Sequence, residues 1–233
     1  MGETVFDQDA AFWWDADGPF KMLHRMNPLR KDFVAQHIAC SGKHFLDVGC
    51  GGGLFCEALA DLGAVVEGLD ESEASIQVAR AHAKLTKKKI TYTQAELMVF
   101  TKKTLGGSKR YDAIAALEML EHVQDPARCI NGLSHLLNPG GYAVFSTINR
   151  NWWSFLGAII AAEYALGWVQ EGTHQYSQFI KPSELVNMAE KSGLTLQVLQ
   201  GVTWDFQEKI FRLTDDVSIN YLALFQKSPA VTE

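Results

Sequence analysis

The chain has few cysteines, no long basic run and no obvious targeting segment. Its four cysteines include no C-x-x-C pair, which argues against a disulfide framework or a zinc site and favours a reducing compartment. The net charge of −6 without a basic run argues against a nucleic-acid partner. Residues 1–20 are acidic and aromatic and resemble neither a signal peptide nor a mitochondrial presequence. We therefore expect a bacterial protein or an already processed chain.

The composition that remains is that of a globular α/β domain. Hydrophobic residues make up 47% of the 233 positions, enough for a sizeable core. Apolar runs alternate with helical patterns, which predicts a doubly wound, mostly parallel sheet of seven strands within a single domain over residues 1–233. Residues 1–43 are expected to form N-terminal helices that cover the domain, and residues 151–175 an apolar insertion after the fifth strand.

A glycine-rich turn between a strand and a helix is the most informative stretch. The apolar run at residues 45–48 predicts a buried strand, and a helical pattern starts at Leu54. A dinucleotide fingerprint G-x-G-x-x-G would require glycine at position 54. The pattern present is instead G-x-G-x-G after Asp47, which resembles the first motif of class I S-adenosylmethionine (SAM) methyltransferases. Its glycines are Gly49, Gly51 and Gly53.

Acidic and amide side chains follow the next two predicted strands. Asp70 ends the second strand, where a carboxylate binds a ribose diol in nucleotide-binding α/β folds. Gln94 and Glu96 follow the third strand, where class I methyltransferases place the adenine, although an ordinary loop is the alternative for both. This order of elements favours SAM, with a nicotinamide-dependent enzyme as the alternative.

Arg30 is a candidate for the cofactor's carboxylate. Asn27 and Pro28 have the character of a helix N-cap and first helical residue, which predicts a helix start there and places Arg30 in the first turn. From that turn the side chain would point toward the cofactor cleft. Contact with the methionine carboxylate of SAM and an ordinary surface arginine are the two interpretations.

The sequence E-M-L-E-H follows the fourth predicted strand. If the segment is helical, Glu118, Glu121 and His122 share one side of it. Two carboxylates and an imidazole suit either a divalent cation such as Mg²⁺ or proton abstraction from a phenol by His122. A polar helix start with a capping histidine is the structural alternative. Phenols have a pKa of about 10, so a base or a Lewis acid assists an oxygen nucleophile.

Two further features follow the fifth strand. Residues 152–169 are almost wholly apolar, which is compatible with a core helix or an interfacial segment. Glu163 near the middle and the short length argue against a transmembrane helix. His174 follows in a G-T-H sequence and is a second candidate site histidine, or an ordinary loop residue.

These motifs together resemble the ubiquinone biosynthesis O-methyltransferases along nearly the whole chain. The G-x-G-x-G motif identifies only the superfamily, whereas N-P-L-R, E-M-L-E-H and G-T-H are more specific. The matching stretches are W-W-D at 13–15, L-H-R-M-N-P-L-R at 23–30, L-D-V-G-C-G-G-G at 46–53, E-M-L-E-H at 118–122, S-T-I-N-R at 146–150, G-T-H at 172–174 and N-Y at 220–221.

The resemblance implies methylation of a polyprenyl catechol and of demethylubiquinol. It implies a metal, Mg²⁺, at the E-M-L-E-H residues, and lipid contact by residues 152–169 on a peripheral protein at the inner face of the membrane, or the matrix side of the inner mitochondrial membrane if eukaryotic. Other ubiquinone-biosynthesis enzymes are implied partners. The SAM contacts that it implies are Arg30, Gly49, Asp70 and Leu117.

One position departs from the family pattern. Glu171 precedes the G-T-H sequence where the family would have lysine, so a phosphate or lipid contact is not expected there. Two other functions compete with the quinol reaction. One is methylation of a soluble small phenol, and the other is a non-catalytic SAM-binding scaffold in a biosynthetic complex.

Overall fold

The protein forms an eight-stranded sheet with helices on both faces. The computed structural model describes residues 10–150 and 179–229. The strands in this part are β1 His44–Val48, β2 Val65–Asp70, β3 Thr91–Gln94, β4 Tyr111–Leu117, β5 Leu137–Ile148, β6 Leu194–Asp205, β7 Ile210–Thr214 and β8 Asn220–Lys227. The helices are α1 Lys21–His37, α2 Leu54–Asp61, α3 Glu73–Leu85, α4 Leu97–Leu105, α5 Pro126–Leu136 and α6 Pro182–Lys191, with short 3-10 helices at Ala10–Phe12 and Leu120–His122.

The strand order is β3-β2-β1-β4-β5-β8-β6-β7. Strands β1 to β5 pair in parallel, whereas β8, β6 and β7 pair antiparallel. The order reverses direction between β1 and β4, and in open sheets ligands bind outside the carboxyl ends of the strands at such a switch point. The predicted doubly wound α/β fold is confirmed.

The sheet has one strand more than predicted. The extra strand is β7, which pairs with β6 through a tight hairpin at the edge of the sheet. None of its five residues is fully buried, so it lacks the continuous apolar run that predicts a central strand.

Each face of the sheet has its own hydrophobic core. Adjacent residues of β1 point to opposite sides, so Phe45 packs with α1, α2 and α3, whereas Leu46 packs with α4, α5 and α6. Both side chains are at most 1% exposed. Burying one such side chain contributes about 1.5–3 kcal/mol. The two cores fix the carboxyl ends of β1, β2 and β4 relative to each other.

The N-terminal helix differs from its prediction. Helix α1 begins at Lys21, and Pro28 lies inside it instead of at its first position. The Asn27 amide donates to the carbonyl oxygen of Leu54 (3.2 Å) and does not cap the helix. The prediction was wrong because the six preceding residues contain no helix breaker and extend the helix upstream of the proline.

Three hydrogen bonds join the ends of the undescribed internal segment to the sheet. The amide of Ile180 donates to the carbonyl of Ile148 (3.3 Å), and the amide of Asn149 donates to the carbonyl of Ile219 (2.8 Å). The Tyr221 hydroxyl in β8 donates to the carbonyl of Ile180 (2.9 Å). The predictions for residues 152–169, for the insertion at 151–175 and for His174 lie outside the described residues. None of the described helices is both long and apolar enough to cross a membrane.

Candidate active site

The glycine-rich turn after β1 has the backbone that its sequence predicts. Gly49, Gly51 and Gly53 have φ angles of 72°, 51° and 86°, a region that residues with a Cβ rarely adopt. The Gly51 amide donates to Oδ2 of Asp70 (2.8 Å), whose Oδ1 accepts from the amide of Ser72 (2.9 Å). Asp70 therefore lies directly beside the glycine turn, as the spacing predicts.

Two tryptophans cover this turn. A Cβ added to Gly51 or to Gly52 would lie 2.2 Å from ring atoms of Trp13, which is only 6% exposed. The Trp14 indole donates to the carbonyl of Gly52 (3.0 Å). The N-terminal segment is thus packed on the glycine turn, and the residues at 51 and 52 are small because an indole ring lies against them.

Arg30 is buried beside the carboxylates of the site. It is 7% exposed, and its Nη2 lies 3.5 Å from Oε1 of Glu118. Burial lowers the pKa of Arg30, while the negative charges of Glu118, Asp47 and Glu121 oppose that effect. The Nε and Nη2 atoms are buried and make no hydrogen bond. The surface interpretation of Arg30 is therefore wrong, and the two orphan donors fit a ligand carboxylate.

Asp47 is a second buried charge next to Arg30. It is 3% exposed at the end of β1, and the Cys56 thiol donates to its Oδ2 (3.2 Å). Burial raises the pKa of Asp47 to about 7, against the lowering effects of the Cys56 hydrogen bond and of Arg30. This carboxyl group is thus poised between its neutral and ionised forms near neutral pH.

The E-M-L-E-H segment is not the helix that would align its acidic and imidazole groups. Glu118 has a φ of 54°, and a 3-10 turn over Leu120–His122 follows it. His122 is exposed, whereas Glu121 is only 3% exposed. In residues 10–150 and 179–229, no three His, Cys, Asp or Glu side chains are arranged to hold a metal ion. Glu118 and Glu121 lie close enough to interact, but His122 does not complete a metal site with them, and no step is assigned to a metal.

The two glutamates of this segment have different environments. Oε1 of Glu118 accepts hydrogen bonds from the Ser146 hydroxyl (2.8 Å) and the Asn220 amide (3.3 Å). Oε2 of Glu121 accepts from the Thr147 hydroxyl (2.9 Å), while its Oε1 is buried without a hydrogen bond. Burial, and secondly the negative charge of Glu118, raise the pKa of Glu121 well above its usual value. The sequence analysis gave no role to these three partners. They are Ser146, Thr147 and Asn220, and all three stand in stretches that match the family.

The remaining predicted residues lie around the same edge of the sheet. Leu117 ends β4 and is 9% exposed. Gln94 donates from its side chain to the carbonyl of Glu71 (2.9 Å). Glu96 caps α4 by accepting from the amides of Met98 (2.8 Å) and Val99 (2.9 Å), which is the ordinary loop role.

Comparison with known proteins relates this site to a family. Residues 21–199 match the family model described as a methyltransferase domain. The ubiquinone biosynthesis O-methyltransferase of Alkalilimnicola ehrlichii is 47% identical over 228 residues, covering 97% of this chain and 90% of its own. The ubiquinone biosynthesis O-methyltransferase of Chromobacterium violaceum is 43% identical over 217 residues, covering 93% of this chain and 92% of its own.

Solved structures agree on the fold. The CcbJ methyltransferase from Streptomyces caelestis superposes with a TM-score of 0.68 at 21% identity, covering 99% of this chain and all of its own. The magnesium protoporphyrin IX methyltransferase ChlM from Synechocystis, with bound SAH, gives a TM-score of 0.64 at 17% identity, covering 98% and 90%. With its glycine turn, Asp70 and buried Arg30 at one edge of such a sheet, and its high identity to the curated relatives, the chain belongs to the ubiquinone biosynthesis O-methyltransferases.

Proposed function

We propose that this protein transfers the methyl group of SAM to a phenolic hydroxyl of polyprenyl-substituted aromatic lipids. The substrates would be a polyprenyl catechol of the 2-polyprenyl-6-hydroxyphenol type and demethylubiquinol, which yields ubiquinol. The observation that carries the proposal is the 47% identity to a ubiquinone biosynthesis O-methyltransferase over 97% of the chain. The site at the carboxyl ends of β1, β2 and β4 supports it, because it offers a group for each part of the donor.

The cofactor is proposed to lie along this edge of the sheet. The orphan donors of Arg30 would bind its carboxylate, with Leu117 beside it at the end of β4. The glycine turn allows close approach to the main chain. The Asp70 carboxylate accepts from the amides of Gly51 and Ser72 at the end of β2, and we propose that it is also the acceptor for the ribose diol. Gln94 is retained as a candidate adenine contact.

Methyl transfer from SAM to a phenol needs no covalent participation by the protein. SAM supplies an electrophilic methyl group on a sulfonium, which leaves as a neutral thioether when the phenol oxygen attacks the methyl carbon in line. The chain must align the two groups, exclude water and accept the phenol proton. We propose Glu121 for the last role, because its Oε1 is buried without a hydrogen-bond partner. Burial raises its pKa, so the carboxyl group must be ionised before it can accept the phenol proton. His122 and His174 are the alternative bases.

The substrate's hydrocarbon tail supports a membrane-surface location. A polyprenyl phenol partitions into the bilayer, so the enzyme must meet it there. We propose that residues 152–169, which are almost wholly apolar, contact the lipid from the cytoplasmic side of the inner membrane, alone or together with other ubiquinone-biosynthesis enzymes. Methylation of a soluble phenol instead predicts that the protein does not bind liposomes.

The proposal is tested by incubating the full chain with SAM and a short-tailed demethylubiquinol and detecting the methylated product by mass spectrometry. We expect methylated product from the wild type and from Ser134→Ala, whose hydroxyl bonds to the carbonyl of Ser192 away from this site. Glu121→Gln should reduce kcat by at least about a hundredfold if it is the base. Parallel reactions with Mg²⁺ or a chelator should give equal rates.

Three results would contradict parts of the proposal. Product formation that is lost with the chelator and restored by Mg²⁺ would return the metal to the mechanism. Full activity of Glu121→Gln would show that Glu121 is not the base, and the role would pass to one of the histidines. If the protein binds SAM but does not turn over, the quinol is not its substrate. Soluble phenols would then be screened.

A further inference from the structure

Glu118 has a backbone conformation that only its surroundings can maintain. Its φ of 54° lies in the left-handed region, which costs a residue with a side chain about 1–3 kcal/mol. The residue follows β4 directly, at the edge where the cofactor is proposed to bind. Strain at such a position persists when neighbouring groups hold it.

Ser146 on the adjacent strand β5 holds both the backbone and the side chain of Glu118. The Glu118 amide donates to the carbonyl oxygen (3.0 Å) and to the hydroxyl oxygen (3.1 Å) of Ser146. The same hydroxyl donates to Oε1 of Glu118 (2.8 Å). Ser146 is 1% exposed, so no water competes for these bonds.

The direction of the Glu118 carboxylate matters because Arg30 is its ion-pair partner. Oε1 receives the Ser146 hydroxyl, the Asn220 amide and the guanidinium of Arg30 at 3.5 Å. The three contacts converge on one oxygen. The long contact to Glu118 is made by Nη2 and is not a hydrogen bond, and Nε makes no hydrogen bond either, so both atoms can still donate to a ligand.

We propose that Ser146 is a positioning residue for cofactor binding, because it orients Glu118 so that Arg30 presents its free donors to the cofactor's carboxylate. The inference rests on the proposed contact between Arg30 and that carboxylate. Asn220 on β8 assists through its weaker, longer bond to the same oxygen. Without the Ser146 hydroxyl, the carboxylate can rotate toward Arg30 and occupy the donors that the cofactor needs.

The test measures binding of two nucleosides by isothermal titration calorimetry to the purified full chain. S-adenosylhomocysteine carries the amino-acid carboxylate, and 5′-methylthioadenosine lacks the whole amino-acid part. We expect Ser146→Ala to raise the Kd of S-adenosylhomocysteine about tenfold, the effect of one charge-assisted hydrogen bond, and to leave that of 5′-methylthioadenosine within about twofold. Ser146→Thr, which retains the hydroxyl, should restore most of the affinity.

The matched control is Ser134→Ala, which also removes a buried serine hydroxyl that makes a hydrogen bond. It should lower thermal stability without changing either Kd. If Ser146→Ala does not fold, Asn220→Ala provides the second variant, and it should shift the preference between the nucleosides in the same direction by about threefold.

Two outcomes overturn the proposal and are distinguishable. Equal weakening of both nucleosides, or no weakening of either in a folded variant, would reduce Ser146 to an ordinary strand residue. If the wild-type protein binds both nucleosides equally, Arg30 does not contact the carboxylate. The proposed role of Ser146 then fails as well. Neither result depends on the acceptor substrate, so failure of the quinol reaction would be seen separately.

Discussion

The indole ring of Trp14 lies parallel to the imidazole ring of His82, with ring centroids 3.4 Å apart and an interplanar angle of 5°. His82 is itself held, because its Nδ1 lies 2.7 Å from Oε1 of the buried Glu57. The N-terminal segment is therefore attached to helix α3 by ring stacking and to the glycine turn by the Trp14–Gly52 hydrogen bond. The conformation of the glycine turn therefore depends on Trp14, which is remote from the turn in sequence.

Removal of this attachment should weaken both the fold and cofactor binding. Trp14→Ala loses the stack and the hydrogen bond to Gly52, and we expect the free energy of unfolding to fall by about 2 kcal/mol. The Kd of S-adenosylhomocysteine should rise, because the turn loses a restraint. Trp14→Phe retains the stack, so it should recover part of the stability but not the affinity. Urea unfolding and calorimetry measure the two effects, and full affinity in Trp14→Phe would contradict the role of the hydrogen bond.

A second prediction concerns the packing of Trp13 on the turn. Gly52→Ala would place a Cβ 2.2 Å from the indole ring, so we expect a loss of about 1–3 kcal/mol in the free energy of unfolding. In a Trp13→Ala background the same substitution should cost much less. Gly107→Ala is the matched control, because its Cβ would meet nothing closer than 3.6 Å. Equal costs of Gly52→Ala in both backgrounds would show that the ring does not cause the effect.

The third prediction concerns both stability and ligand affinity at Arg30. Arg30→Met keeps an unbranched apolar stem but leaves the Glu118 carboxylate without its cationic partner, so the free energy of unfolding should fall by about 3 kcal/mol. The affinity for S-adenosylhomocysteine should fall by about a hundredfold, and Arg30→Lys should not restore it, since an ammonium lacks the planar fork. Circular dichroism melting and calorimetry test both parts. Retained affinity in Arg30→Met would exclude the carboxylate contact.

The fourth prediction is a pH dependence caused by Asp47. Its pKa is about 7 in the folded protein against an ordinary value of 3.8, so the folded state binds the proton more tightly. Its contribution to stability is fully present below pH 3.8 and is lost as the pH rises through about 7. Asp47→Asn, which mimics the neutral form, should therefore match the wild type near pH 4 and be more stable at pH 8, by at most about 4 kcal/mol.

Thermal melts of both proteins between pH 4 and pH 8 measure this difference. Asp112→Asn is a suitable control, because backbone and side-chain hydrogen bonds hold the pKa of that partly exposed carboxyl below its usual range. It should show no gain in stability at high pH. If the stability of Asp47→Asn differs from that of the wild type by the same amount at every pH, Asp47 is not the cause of the pH dependence.

The sequence predicted the central strands accurately because continuous apolar runs bounded by turn residues have few alternative structures. The apolar run at 45–48 lies within β1, Asp70 ends β2, and the E-M-L-E-H sequence follows β4, as predicted. The sequence also located the glycine turn and Asp70. The start of α1 was missed because a strong local signal, Asn27-Pro28, was outweighed by the helical residues upstream.

The parts of the site that the sequence could not predict depend on distant contacts. The E-M-L-E-H segment fits a helical turn locally, yet Glu118 adopts a positive φ because Ser146 on β5 binds it. Asn220, which contacts the same carboxylate, lies 102 positions away in the chain. No local pattern reports such a pairing. The segment forms a 3-10 turn instead of the expected helix, so Glu118, Glu121 and His122 do not share one helix side.

The hydrogen bonds at the base of the segment 151–178 have a consequence for engineering and evolution. Ile148 and Ile180 are bonded to each other and Tyr221 fixes the returning chain, so the segment leaves and re-enters the sheet at one point. The entropy of closing such a loop grows slowly, by about 0.6 kcal/mol for each doubling of its length. Changes in chain length between the two anchors are therefore expected to cost the rest of the domain little stability.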